Sequence, residues 1–314
     1  MRFAALGRTR MLYDAVRACA AAGHEPVLIG TCAPAPEYGV GEAEFERLAD
    51  ELGCPFFAGA DANRPEVVDL ARQARADVAI SMNWLTLLGP ELRSCFGHGV
   101  INAHPGDLPR YRGNAAPNWA ILNGEREVVL TLHEMSDDLD AGPVLLKRGF
   151  PLGEDTYVSD VYAFLATAVP EAFVGALTGL GAGTLRPEPQ PDDPALALRC
   201  FPRRPEDGRL DWTQGAEQLA RLVRASGEPF AGAFTYLDDG RRVTVWRARA
   251  APLPGPVLGV PGQVIAADRA AGTVDVLTGD GALVLSEVEL DGVRGPASDA
   301  VTSLRTRLLN CPPS

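Results

Sequence analysis

The sequence predicts an α/β protein in which a mostly parallel sheet, with helices on both faces, precedes a smaller domain of β-barrel type. Three observations carry this reading. Up to about residue 125 the chain alternates short apolar runs with amphipathic stretches, the rhythm of β-α-β units with strands paired in parallel. Residues 183–205 are rich in Pro and Asp and have no strong periodicity, which reads as a linker. Beyond them short β-type runs succeed one another closely, as in a small barrel or sandwich. The expected division is a first domain over 1–184, a linker over 185–204, a β-barrel-like domain over 205–303 and a tail over 304–314.

Taken in order, the strand-like runs and the helical stretches behind them are FAALG then 10–22, PVLIG then 42–52, VAISM then 87–95, and GVINAH then 114–123. Two further runs, VVLTLHEM at 128–135 and PVLLKRGF at 143–150, are joined by a polar turn and read as paired strands. A long helix comes next, from about Val158 to Leu180. After the linker come a helix, QGAEQLARLVRAS, and the runs AFTYL, RVTVWRA, GQVIAA, TVDVLT and ALVLSEVEL. On a parallel sheet, ligands gather at the carboxyl ends of the strands.

Bulk composition narrows the function classes. The chain has 314 residues, 46% apolar and 22% charged, enough for two globular domains without staples. Cys19, Cys32, Cys54, Cys95, Cys200 and Cys311 are scattered with no C-x-x-C pair, so neither a metal site nor a disulfide framework is expected. The N-terminus does not read as a secretory signal, and no run of about 20 apolar residues is evident. The expectation is a cytoplasmic protein with no membrane partner; a homodimer is compatible with the sequence. Of 29 basic residues only Lys147 is a lysine, a bias attributed to a GC-rich genome. The net charge of −12 works against binding nucleic acid, which needs clustered Lys and Arg.

The chemistry concentrates between Asn102 and Asp140. Asn102 ends a strand and His104 stands two residues on, so both side chains leave its carboxyl end on one face. Taken singly, such a histidine is commonly a satisfied or solvated residue and such an asparagine a turn former. The residues downstream of His104 change the weight: Leu108-Pro109-Arg110-Tyr111-Arg112-Gly113, Pro117-Asn118-Trp119-Ala120-Ile121, Gly124-Glu125 and Leu139-Asp140-Ala141-Gly142-Pro143. In this order of elements the chain resembles the folate-dependent formyltransferase family, which includes methionyl-tRNA, glycinamide ribonucleotide and sugar N-formyltransferases. FPRRPEDGRLDW resembles the stretch opening that family's second domain.

The resemblance implies a Rossmann-like first domain, an OB-like second one, and transfer of a formyl group from N10-formyltetrahydrofolate to a primary amine without a metal. It assigns catalysis to Asn102, His104 and Asp140, with Asn102 meeting the formyl oxygen, His104 bonding that oxygen or shuttling the proton, and Asp140 holding the imidazole and favouring its charged form. Folate would lie against Met82, Asn83, Trp84, Leu85 and Leu87 and the turn carrying Ser136 and Asp138. Asp137 and Asp138 compete for the carboxylate role, but only Asp140 occupies the Leu-Asp-x-Gly-Pro frame. Asp107 departs from the His-x-Ser-Leu-Leu-Pro reading of many relatives and either faces solvent or meets a cationic acceptor. His24, His98 and His133 read as structural or surface residues.

For the acceptor, similarity over 98–150 and 200–246 to the domain acting on UDP-4-amino-4-deoxy-arabinose favours a nucleotide-linked amino sugar. A natural-product amine remains open. Arg112 is assigned to substrate, and Arg203 with Arg204 to a pyrophosphate. Methionyl-tRNA is less favoured, because TCAPAPEYGVGEAEFERLADE has one Arg among several acidic residues. A dinucleotide enzyme is disfavoured by Arg8-Thr9-Arg10 where a Gly-x-Gly-x-x-Gly turn would stand. Hydrolysis of the formyl donor and non-catalytic folate binding are the remaining alternatives.

Overall fold

The computed structural model describes residues 1–35 and 38–313; Glu37, one of the acidic residues of the TCAPAPEYGVGEAEFERLADE stretch, lies outside them. The chain forms two compact units. The first comprises Met1–Ala116, Glu127–Pro151 and Tyr162–Phe201, and the second Pro117–Arg126, Leu152–Val161 and the residues from Pro202. Most of the expected linker therefore counts with the first unit, and two short segments from before the linker count with the second.

In chain order the elements up to residue 200 are β1 (Arg2–Gly7), α1 (Arg10–Ala21), β2 (Glu25–Thr31), α2 (Glu42–Leu52), β3 (Phe56–Ala58), α3 (Pro65–Ala74), β4 (Val78–Met82), α4 (Pro90–Arg93), β5 (Val100–His104), β6 (Arg112–Gly113), α5 (Ala116–Leu122), β7 (Glu127–Glu134), β8 (Val144–Pro151), α6 (Val158–Gly181) and β9 (Arg199–Cys200). The main sheet runs β3-β2-β1-β4-β5-β7-β8. It is parallel from β3 to β5, and β7 is antiparallel to both β5 and β8. Every residue of β4 and β5 is buried, which is why these strands read as apolar runs rather than alternating ones. The strand order reverses between β1 and β4, and the carboxyl ends of β4, β5 and their neighbours open the crevice where such sheets take ligands.

The segment β3–α3 is not foreseen by the apolar rhythm, because β3 is only three residues long and not fully buried. Helix α4 is shorter than the expected 87–95. Its first residue is Pro90, which fits only the first turn of a helix, so the chain before it stays a loop. Helix α6, at 24 residues, is long and apolar enough by length and composition to cross a membrane, which corrects the expectation that no such run exists. Half of its apolar window is nevertheless buried within the protein. Leu165, Val169, Phe173 and Leu177 are in the core, Phe164 stacks on Phe150 with ring centroids 5.0 Å apart, and Glu171 pairs with Arg148.

The second unit contains α7 (Ala216–Ser226), β10 (Ala233–Tyr236), β11 (Arg242–Ala251), β12 (Val264–Asp268), β13 (Thr273–Leu277), β14 (Ala282–Leu290), β15 (Val293–Pro296) and α8 (Ala297–Ala300). Its antiparallel sheet runs β10-β11-β14-β13-β12, with β15 on β14. The edges do not pair with each other directly. Leu309 exchanges backbone hydrogen bonds with Tyr236 at the end of β10, while Thr306 and Leu308 bond Val264 and Gly262 at the start of β12. The expected tail thus closes the two edges of the sheet, removing unpaired strand groups. Its core gathers Trp212, Leu219, Val223, Val245, Leu283 and Leu285. Trp212 is 1% exposed, and its indole N–H donates to Thr235 Oγ1 at 2.9 Å. Replacing Trp212 by Ala should lower stability by about 3–5 kcal/mol, measured as an earlier urea transition followed by circular dichroism.

Candidate functional site

Strand pairing sets the site. Asn102 on β5 stands opposite His133 on β7, and His104 opposite Thr131, so Asn102, His133 and His104 emerge on one face of neighbouring strands. The chain beyond β7 then turns back, and Asp140 comes between the two imidazoles: Oδ2 lies 3.6 Å from His104 Nδ1 and Oδ1 lies 3.4 Å from His133 Nε2. Gly113 N–H donates to Asp140 Oδ2 at 2.7 Å. The three residues expected from the sequence are therefore brought together, and His133, expected to be structural or surface, joins them.

Backbone carbonyls fix both tautomers, since a carbonyl only accepts. His104 Nε2 lies 2.7 Å from Tyr111 O and so carries a proton, which leaves Nδ1 facing Asp140. His133 Nδ1 lies 3.0 Å from Glu134 O and carries its proton there. His133 Nε2 is then the acceptor for Asn102 Nδ2–H at 3.1 Å. One amide N–H of Asn102 is held by this contact, and the other makes no hydrogen bond among the described residues.

Two glycines allow the close packing. A Cβ on Gly106 would stand 2.5 Å from His104 Nε2 and 2.6 Å from Tyr111 O, in the path of that hydrogen bond, and one on Gly142 would stand 1.8 Å from Glu134 O. Thr131 Oγ1 donates to Gly106 O at 2.7 Å, anchoring the loop that covers the imidazole. Asp140 itself is left-handed, with φ 51°, and so are Asn83, Tyr111 and Ala115, close in sequence to the site elements. Non-glycine residues held in that region cost free energy and cluster where the surroundings over-determine them.

Burial lowers the His104 imidazole below its ordinary value and outweighs the opposing attraction of Asp140, so at neutral pH the ring is uncharged. Asp140 does favour the protonated ring, as expected, but His104 is 5% exposed, and desolvation, which disfavours its charged form, prevails. Burial would by itself raise the Asp140 carboxyl, but the His104 and His133 rings and the Gly113 N–H prevail and hold it at about 2.

The residues assigned to folate flank this centre on the loops after β4 and β7. Met82 is buried, whereas Leu85 and Leu87 are 48% and 59% exposed. Trp84 Nε1 is buried with no hydrogen-bond partner among the described residues, and Asn83 Nδ2 donates to Tyr38 Oη. Opposite, Ser136 Oγ donates to Asp138 O, and Arg93 from α4 binds Met135 O and pairs with Asp137. Asp138 is exposed. An apolar rim and an unsatisfied indole beside exposed loop backbone fit a flat heteroaromatic group.

The remaining assignments separate. The Asp107 side chain is 40% exposed, in line with its solvent-facing reading, and it is paired there: Lys147 Nζ donates to its Oδ1 at 2.6 Å and to Leu108 O at 2.5 Å. Arg112 Nη2 donates to Gln190 Oε1 at 2.8 Å, and its Nε is buried without a partner among the described residues. Arg203 is occupied inside the second unit, where it donates to Asp207 O and Ser226 Oγ and lies over the Trp119 ring. The Arg203 Nε is buried without a partner among the described residues; Arg204 is exposed.

The family pattern described as formyl transferase matches residues 1–177, and that of the formyl transferase C-terminal domain matches residues 203–302. The chain belongs to the formyl transferase family. Among solved structures, the chain is similar to HypX from Aquifex aeolicus in complex with tetrahydrofolic acid, at 21% identity over 96% of this chain and 47% of that one, TM-score 0.59. It is also similar to WlaRD, a sugar 3N-formyl transferase crystallised with dTDP and 5-N-formyl-THF, at 12% identity over 93% and 98% of the two chains, TM-score 0.64. A third similar structure is an N-formyltransferase from Helicobacter canadensis with folinic acid and dTDP-3-aminofucose, at 12% identity over 90% and 97%, TM-score 0.62. The chain spans about half the length of the HypX chains it matches. At these identities the likeness establishes the shared fold.

His133→Ala should release the Asn102 amide and lower kcat by up to about 100-fold, the scale of a misplaced catalytic group, at nearly unchanged melting temperature in a thermal shift assay. The Asp140 carboxyl is depressed on folding, so its contribution is complete above about pH 4, the unfolded value, and disappears as pH falls through about 2. Asp140→Asn should accordingly flatten the fall of stability between about pH 4 and 2, checked by urea titration at each pH.

Proposed function

We propose that the chain transfers the formyl group of N10-formyltetrahydrofolate to the primary amine of a small molecule, and that this acceptor is a nucleotide-linked amino sugar. The observation that carries formyl transfer is the joining of Asn102 and His104 on β5, His133 on β7 and Asp140 on the turn after β7, between two loops suited to a pterin.

Attack of a neutral amine on the formyl carbon creates a tetrahedral centre with an oxyanion and an ammonium. The free N–H of Asn102 meets the oxyanion, as a preorganised donor in a largely dry site does. The proton released by the ammonium passes to the His104 Nδ1 side, where a charged imidazole would be bounded by Tyr111 O on Nε2–H and the Asp140 carboxylate on Nδ1–H. Collapse breaks the bond from the formyl carbon to N10, which takes up a proton, and leaves the formamide on the acceptor. The neutral resting ring and the ionised Asp140 suit this sequence, because the base form is populated before attack and its conjugate acid has a counter-ion waiting.

For the acceptor, the similar proteins crystallised with dTDP or dTDP-3-aminofucose support a sugar nucleotide, as does the low requirement of a single pyrophosphate for cationic surface. Arg112, in the same unit as Asn102, is the residue proposed to serve its charged groups. Asn102→Ala should lower kcat about 10²- to 10³-fold. The test of the whole reading is release of tetrahydrofolate from N10-formyltetrahydrofolate, monitored by absorbance, with UDP-4-amino-4-deoxy-arabinose, dTDP-linked 3-amino sugars or methionyl-tRNA as acceptor. Turnover with an amino sugar alone is expected. Turnover with tRNA alone would move the acceptor to nucleic acid, and release at full rate without any acceptor would make the protein a hydrolase.

A further inference from the structure

We propose that Gln190 is a positioning residue for Asp140, and that residues 186–201 form a strap belonging to the catalytic unit rather than a spacer between domains. The kinetic part of this proposal rests on the formyl-transfer reading. The strap is fastened at three points. Glu188 exchanges both backbone hydrogen bonds with Val144, at 2.7 and 2.8 Å. Gln190 Nε2 donates to Asp140 O and to Gly142 O, each at 2.8 Å. Farther along, Arg112 N–H donates to Leu198 O at 2.9 Å and Asn114 N–H to Cys200 O at 3.1 Å, pairing β6 with β9 in register Arg112↔Arg199 and Gly113↔Cys200.

These contacts close a loop around one carboxylate. The Gln190 amide holds the main chain of Asp140 from one side by spanning the carbonyls on either side of Ala141. The β6–β9 pair holds Gly113, whose N–H binds the Asp140 carboxylate from the other side. Arg112 joins the two halves, since its Nη2 donates to Gln190 Oε1 at 2.8 Å. A side-chain amide meets this demand in full: two N–H groups given, one oxygen accepting. Asp140 is left-handed, a conformation that its surroundings must hold, and Gln190 supplies the side-chain bonds to the carbonyls of that turn.

Glutamate at this position would keep the pairing with Arg112 but would offer no N–H and would set a charge against two carbonyls; alanine would remove every contact. The experiment compares the full chain with Gln190→Ala and Gln190→Glu by two readouts. The first is steady-state transfer from N10-formyltetrahydrofolate to UDP-4-amino-4-deoxy-arabinose. The second, which needs no turnover, is the set of imidazole resonances of His104 and His133 in 15N-labelled protein. The expected result is a fall in kcat of up to about 100-fold in both variants, KM for either substrate within about twofold, an unchanged melting temperature, and displaced His104 and His133 resonances. Unchanged kcat and unchanged resonances in Gln190→Glu would overturn the proposal. So would a raised acceptor KM at unchanged kcat, which would make Gln190 an acceptor contact. If the unsubstituted protein transfers no formyl group, the formyl-transfer reading fails and the resonances alone decide the positioning role: displaced in the variants, they uphold it, and undisturbed, they overturn it.

Discussion

An ionised carboxylate placed where burial opposes it is the constraint on which the rest of this site depends. Asp140 can remain charged in a largely dry setting only if polar partners surround it. Those partners come from separate parts of the first unit: Gly113 from the loop after β5, His104 from the end of β5, and His133 from β7. Each must arrive within a few ångströms. The close approaches at Gly106 and Gly142, the anchoring of the loop by Thr131 and the fastening of residues 186–201 all serve that convergence.

The same constraint explains why the two histidines behave differently despite similar burial. His104 gives its proton to a carbonyl across the loop and turns its unprotonated nitrogen toward Asp140. His133 gives its proton to the carbonyl of the following residue and turns its unprotonated nitrogen toward Asn102. One ring is thereby arranged to receive a proton beside a counter-ion, the other to orient an amide donor. In the proposed reaction, the oxyanion and the ammonium of the tetrahedral centre would each meet a separate device on adjacent strands.

Much of this is legible in the sequence, for physical reasons that differ by residue. Asn102 and His104 can be placed on one face because strand side chains alternate with period two, and Asp140 can be distinguished from Asp137 and Asp138 by its Leu-Asp-x-Gly-Pro frame. His133 cannot be placed in this way, although it sits in the TLHEM run, because its role arises from the register of β7 against β5, which no local pattern encodes. The strap is hidden for a related cause. A Pro- and Asp-rich segment without periodicity looks like a spacer, and its fastening depends on isolated contacts such as those of Glu188 and Gln190. The true extent of α4 and the short β3 escape the periodic signal where proline and brevity weaken it, and the closing of the second unit's sheet by residues 306–309 rests on pairings far apart in sequence.

Charge bears on the choice of acceptor in the same bottom-up way. A chain of net charge −12 repels a polyanion over an extended surface, and a tRNA must be met by many cationic groups before its amine can reach Asn102. A pyrophosphate carries its charge in a space smaller than the roughly 8 Å over which physiological salt screens a field. One or two guanidinium groups suffice for it, provided that they are fixed, because arginine binds such oxygens in a bidentate fork. Arg112 meets that condition: Gln190 holds one of its nitrogens, while another is buried and, among the described residues, unsatisfied. On the proposed reading, a locally fixed cation of this kind in an acidic protein would favour a compact anion over a long one.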